Sequence, residues 1–379
     1  MTPSRKATFA IFGVFFLQSM VFGNWIPRIP EIKDKLGLSD SGLGLSLLAI
    51  PLGTLIGLMF ASRLIERVGL RRACQIFLPA WAIAFMFPPF ASSQAALIGI
   101  LFIGGAVLGL IEVAMNTEAD RIEQAMHVRI MSRCHGFWSL GSLAGALSGG
   151  LFAQFGVSMG LHFVIVMPVL GAIGFFTASA LPRTAKLLEN KQRQKAPLFT
   201  VPTAAILLLC VMPMGAMVVE GAFIDWSAVF VRSVLDASPL VISLIYSFFA
   251  IVMATVRLSG DAIGKRFSAK LIVQVSGVAS AVGIALFALS PNVPFAMFGA
   301  ALSGMGVAIV YPIAVTAAAR RPGSAADNVA AITMVSFTAF LVAPPIIGFL
   351  SDWLSLRTAL LMLAPIAVST ALLAKEVER

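Results

Sequence analysis

Twelve apolar runs, each close to the length a helix needs to cross a bilayer, dominate this chain. They lie at about 7–28, 41–61, 74–92, 95–117, 135–156, 159–181, 201–231, 239–258, 271–289, 293–318, 329–351 and 355–374. The hydrocarbon core of a bilayer is about 30 Å thick and takes roughly 20 residues of apolar α-helix. Inside it, every backbone N–H and C=O must be satisfied without water, which favours helices for runs of this kind. Charged residues make up 12% of the chain, against about 25% in a typical soluble domain. The links between runs are short, so no room remains for a separate soluble domain. The expected fold class is an all-α polytopic membrane protein with 12 transmembrane helices.

The net charge of +10 raises the question of a nucleic-acid partner, and the placement of the basic residues answers it. With the N-terminus in the cytoplasm, the tails and the even-to-odd loops hold 22 of the 27 Lys and Arg residues. Arg28, Lys33, Lys35, Arg232 and Arg357 fall on the other side. That bias is the positive-inside rule, and it predicts both termini in the cytoplasm. The basic residues report topology, so no nucleic-acid partner is expected. The start "MTPSRKATFAIFGVFFLQSMVFGNW" has a long apolar run and no A-x-A cleavage site, and reads as a retained first helix. Cys74, Cys134 and Cys210 are isolated, which predicts neither a disulfide framework nor a metal site.

The most polar link, "PRTAKLLENKQRQKAPL" (182–198), divides the chain into two six-helix halves, 1–181 and 199–379. Internal similarity supports the division. "SRLIERVGLRR" after the second run matches "RLSGDAIGKR" after the eighth: Glu66 lies three before Gly69, as Asp261 lies three before Gly264. Asn24-Trp25 near the end of the first run matches Asp225-Trp226 in the seventh, and "GALSG" in the fifth matches "PPIIG" in the eleventh. Three matches in order, at offsets of 195 to 201 residues, predict two pseudo-symmetric six-helix bundles.

"SRLIERVGLRR" resembles the signature loop of the major facilitator superfamily, a Gly-x-x-x-Asp-Arg-x-Gly-Arg-Lys pattern between the second and third of twelve helices. Glu66 stands for the Asp, and Arg67, Gly69, Arg71 and Arg72 hold matching places, while Ser62 and Leu70 depart from the pattern. Within that superfamily, "NWIPRIPEIKDKLGLSDSGLGLSLLAIPLG", "IEVAMN", "MSRCHGFWSLGSLAGALSGG" and "EGAFIDWSA" are similar to a bacterial branch that includes membrane proteins of rhizopine gene clusters and is loosely similar to fucose permeases. The resemblance implies a secondary transporter. The loop's acid and guanidinium groups, placed at helix ends, suit charge-assisted bonds that lock one conformation and release in another. Glu66, Arg67, Gly69, Arg71 and Arg72, with Asp261 and Gly264 in the second half, are the candidate gating residues. For the arginines, a purely topological role remains open.

Three acids lie inside apolar runs: Glu112, Glu220 and Asp225. Each costs roughly 2.5–3.5 kcal/mol at a helix centre on insertion scales, so an intramembrane acid points to function. No Lys or Arg is expected inside a helix core to neutralise them, which leaves protonation or a wet cavity. Glu220 and Asp225 lie about 140° apart around a helix. They meet at one spot only if the helix breaks there, as Pro213, Gly215 and Gly221 allow. Glu112 and Asn116, four apart, share a face. Glu118 and Asp120 read as loop charges. Fucose-type porters, by resemblance, carry coupling acids on the first and fourth helices. Glu112 matches the latter, while Asn24 replaces the former, which moves the coupling acid to the seventh run. The same resemblance makes Asn24, Trp25, Glu112, Asn116, Glu220, Asp225, Trp226 and Tyr311 the lining of a solute cavity.

Trp25 and Trp226 suit either that cavity, against the apolar face of a sugar-like ring, or the interfacial belt. The glycines of the fifth run, Gly141, Gly145, Gly149 and Gly150, suit close helix packing. They also resemble an exporter motif in which Ala146 stands in place of proline. His135 is a proton shuttle or a helix-start residue. An enzyme is not expected, because His127, His135 and His162 show no H-E-x-x-H spacing, and an ATP-driven pump lacks its GxxxxGK[ST] loop. The function expected is secondary active transport of a small polar or amphiphilic solute by alternating access, with H⁺ as the coupling ion, no cofactor, no metal and a monomeric chain. An exporter working as a proton antiporter and a transport-inactive sensor or scaffold are the alternatives.

Overall fold

The computed structural model describes residues 5–182 and 203–378, and among these every regular element is helical. The first span combines α1 (Arg5–Trp25) and α2 (Ile29–Leu36), joined by a 3-10 turn. The second combines α3 (Asp40–Leu47) and α4 (Ala49–Val68). Spans three to six are α5 (Leu70–Ala84), α6 (Gln94–Met126), α7 (Met131–Gln154) and α8 (Met159–Ser179). The seventh joins α9 (Ala204–Val211) to α10 (Met214–Leu235), and the eighth is α11 (Pro239–Leu258), followed by the short α12 (Gly260–Arg266). Then come α13 (Ala269–Ala288), the pair α14 (Val293–Val307) and α15 (Val310–Ala319), α16 (Ala325–Trp353), and a last pair, α17 (Leu356–Leu361) and α18 (Leu363–Leu372). Ten of these spans qualify by length and apolar composition alone. The glycine- and serine-rich α7 and the short last pair bring the total to the twelve read from the sequence. The linker expected at 182–198 lies, from residue 183 on, outside the described residues.

Two compact units emerge. Unit 1 comprises Met1–Leu38, Leu45–Asn190 and Ser238–Leu244; unit 2 comprises Ser39–Gly44, Lys191–Ala237 and Ile245–Arg379. Each takes in a short segment from the chain half that makes up most of the other. The segments begin at Ser39 and Ser238, 199 residues apart. The same interval separates the N-caps of α6 and α14, where Ser93 accepts from Ala96 N–H and Asn292 from Phe295 N–H.

In unit 1, α1 packs on α7 and α4 on α6. A Cβ at Gly141 would collide with the Phe16 carbonyl, one at Gly145 with the Met20 carbonyl and one at Gly57 with the Ala106 carbonyl. Backbones approach this closely only where the side chain is a hydrogen. The glycine stripe of the fifth run is therefore used in helix packing. In unit 2, α10 is wrapped by α14, α16 and α18. The borrowed segment is held there by Asp352, whose carboxylate accepts the N–H groups of Asp40 at 2.9 Å and Ser41 at 3.0 Å. Both donors lie at the start of α3, where N–H groups have no acceptor within the helix and negative charge is favoured.

Candidate functional site

Prolines create the setting of the site in unit 2. In an α-helix the carbonyl of residue i takes the N–H of residue i+4. Position 312 is proline and has no N–H to give Ala308, and the tenth span breaks between α14 and α15 at that residue. The freed carbonyl finds another donor: Arg257 Nε–H, from the last turn of α11, at 3.0 Å. The same guanidinium donates from Nη2 to Glu220 Oε1 at 3.1 Å. The two side chains are only 20% and 13% exposed. One arginine thus ties α10 and α11 to a broken helix.

This corrects the expectation that the intramembrane acids lack a basic partner. Glu220 has one, and the chain position of Arg257 explains the error. It reads as a loop residue after the eighth run, yet α11 extends to Leu258, and an arginine stem is long enough to return along the bundle. A cation in the last turn of a helix is also favoured by the helix dipole.

Asp225 is half-buried, and it makes no hydrogen bond or ion pair among the described residues. The break expected near Glu220 falls earlier in the chain, at Met212–Pro213, where Thr370 Oγ1 donates to the Met212 carbonyl at 2.8 Å. The helix α10 is continuous through both acids, so they stay about 140° apart around its axis. Tyr311 is half-buried, and its hydroxyl donates to Thr333 Oγ1 at 2.9 Å, which in turn donates to the Val329 carbonyl at 2.7 Å. Trp226 is fully buried with its indole N–H unpartnered.

In unit 1, Glu112 and Asn116 meet as their spacing requires: Asn116 Nδ2 donates to Glu112 Oε2 at 3.1 Å, on a half-exposed face of α6. Asn24 is fully buried. Its Nδ2 donates to the Met20 carbonyl at 2.8 Å, which turns Oδ1 toward His162 Nε2 at 3.0 Å. The histidine must then donate from Nε2. Trp25 is also fully buried, edge-on to Phe85, and its N–H has no partner. Both tryptophans therefore sit inside their units rather than in an exposed belt.

Some polar residues in unit 1 were missed or misplaced by sequence reasoning. Arg28, assigned to an outer loop, is 1% exposed and donates to Glu31 and to the Val157 carbonyl. Glu118, read as a loop charge, is fully buried and takes a two-pronged bond from Arg121. The cause is that α6 runs on to Met126. Further along, Glu123 accepts the N–H groups of Ile130 and Met131, capping α7.

Of the candidate gating residues, Gly69 is the whole connection between α4 and α5, at φ +83° and ψ 154°. That backbone region is essentially closed to other residues. Glu66 and Arg67 are exposed at the end of α4, with Arg71 and Arg72 at the start of α5. Glu66 forms no ion pair among the described residues. Gly264 is exposed within α12, and the Asp261 side chain lies outside the described set.

Comparison with known proteins agrees with the all-helical fold. A family model described as Major Facilitator Superfamily matches residues 11–339. An uncharacterised transporter of that type from Yersinia pestis is 30% identical over 370 residues, covering 96% of this chain and 94% of its own. The membrane protein MosC of Rhizobium meliloti is 27% identical, with 97% and 90% covered. Among solved structures, the nucleoside transporter NupG superimposes with a TM-score of 0.76 at 14% identity, over 98% of this chain and 99% of its own. The Escherichia coli fucose:proton symporter gives 0.67 at 14% identity, with 98% of each covered.

Proposed function

The chain belongs to the major facilitator superfamily, and from that premise we propose that it moves a small polar or amphiphilic solute by proton-coupled alternating access across the bacterial inner membrane. That it is a multi-pass transporter and not an enzyme follows from the family. The finer reading is carried by one observation, the Glu220–Arg257 pair beside a proline-broken helix. Broken helices with freed backbone groups are typical of transporter sites. A carboxylate held by a movable guanidinium has two stable states, paired and protonated, and a carrier needs such a pair of states to couple a proton to its cycle.

Glu112, bonded by Asn116, is the corresponding half-exposed acid of unit 1. Asp225 and Tyr311 supply further polar contacts for the solute. Support for proton symport comes also from the fucose:proton symporter, whose fold the chain shares. The two halves, 1–181 and 199–379, joined by the linker 182–198, form one monomeric carrier with both termini cytoplasmic. It needs no cofactor, no metal and no nucleic-acid partner.

The test is a comparison of metabolites inside and outside cells expressing wild type, Glu220→Gln or no transporter. A solute enriched on one side with wild type alone supports the reading, and the side gives the direction of transport. Identical distributions in all three strains would refute it.

A further inference from the structure

We infer that Arg257 is an anion-binding residue of the transport site and that the solute carries a carboxylate. The inference deepens the reading of Glu220 as a coupling acid and rests on it. An arginine offers five N–H donors in a planar fork. Two are spoken for: Nε–H by the Ala308 carbonyl, and one hydrogen of Nη2 by Glu220. Nε and Nη2 flank one edge of the guanidinium. Nη1, at the other end of the fork, has no partner among the described residues. The side chain is partly open rather than sealed. Nη1 and Nη2 together make the end-on edge, whose spacing matches the two oxygens of a carboxylate in parallel bonds, the geometry in which arginine outperforms lysine.

Charge balance links this site to the proton. With no solute, Glu220 and Arg257 cancel. A carboxylate arriving at the end-on edge leaves two anions on one cation, and a proton on Glu220 removes the excess. Empty and loaded pairs are then both neutral, so neither state of the carrier places a net charge at this pair in a medium of low dielectric. The other groups of unit 2 do not replace this arrangement. Asp225 lies about 140° away around α10 and is itself an acid, and the Tyr311 hydroxyl is committed to Thr333. One guanidinium and one proton balance a single negative charge, which favours a carboxylate over a phosphate dianion.

The decisive experiment needs no knowledge of the solute. In the Glu220→Gln variant, Arg257 loses its counter-ion and should recruit a small anion of the right shape. The full chain, purified in detergent, is unfolded thermally while sodium acetate replaces sodium chloride at constant ionic strength. A parallel series uses sodium phosphate. Acetate should raise the midpoint of Glu220→Gln by about 2–4 °C near saturation, more than it raises wild type, and phosphate should raise it less. Glu220→Gln/Arg257→Gln should not respond. If that double variant does not fold, Glu220→Gln/Arg257→Lys serves instead: it keeps the charge without the fork and should lose the acetate response. Equal shifts in the presence and absence of the arginine, no shift in Glu220→Gln, or a larger shift with phosphate would each overturn the assignment. None of these readings involves transport. The proposal can therefore fail here while proton-coupled accumulation by cells stands, or the reverse.

Discussion

The two units treat polar residues inside the membrane in opposite ways. In unit 1 they are bonded into the frame: Asn24 to His162, Arg28 to Glu31 and the Val157 carbonyl, Glu118 to Arg121. In unit 2, polar groups cluster where a helix is interrupted, with Arg257 shared between Glu220 and a carbonyl that Pro312 leaves free. Asn24 and Asp225, which match in the internal repeat, make the contrast clearest. The first is fully buried and bonded at both ends of its amide, while the second is half-buried with no bond among the described residues. The two positions matched by the repeat thus differ: Asn24 is tied into the packing of unit 1, while Asp225 is not tied into that of unit 2.

The largest effect expected from breaking that contrast is at Arg257. Arg257→Gln strands Glu220 and the Ala308 carbonyl together, and should cost about 2–4 kcal/mol in reversible unfolding, a little under the loss for a fully buried pair. Adding Pro312→Ala restores an N–H for Ala308 and should recover about 1 kcal/mol of it. Recovery of nothing would mean that the carbonyl is not what the arginine satisfies. In unit 1, Asn24→Ala removes both bonds of a buried amide and should cost about 1–3 kcal/mol. If Asn24 is scaffold, the variant's remaining folded fraction should transport at the wild-type rate per molecule. Asp225→Asn should be smallest in stability, within about 0.5 kcal/mol, because no partner is lost. A large loss there would show that Asp225 has a structural bond after all.

Much of this was legible beforehand. Runs of about twenty apolar residues have one solution in a bilayer, so the spans and their number could be read directly. The repeat was visible because Glu66-x-x-Gly69 and Asp261-x-x-Gly264 follow the second and the eighth apolar runs, the same place in each half. The i, i+4 meeting of Glu112 and Asn116 follows from helix pitch alone. Arg257 was missed because topology rules count charges without regard to reach. An arginine at a helix end serves equally as a topology signal and as a buried partner, and only the fold distinguishes them. Pro312 held a usable signal: a proline inside an apolar run frees the carbonyl four residues earlier and implies a donor nearby. The burial of Glu118 was hidden for a different reason. Helix ends are poorly marked in sequence, and α6 extends nine residues past the expected end of its apolar run.

The central claim is that Glu220 carries the coupling proton. Its most direct test uses the solute found by comparing cells, in liposomes containing wild type or Glu220→Gln. Uptake is followed once under an imposed proton gradient and once as exchange against the same solute inside. The account predicts that Glu220→Gln loses gradient-driven accumulation and retains exchange. Accumulation by the variant with the same pH dependence as wild type would remove Glu220 from the mechanism.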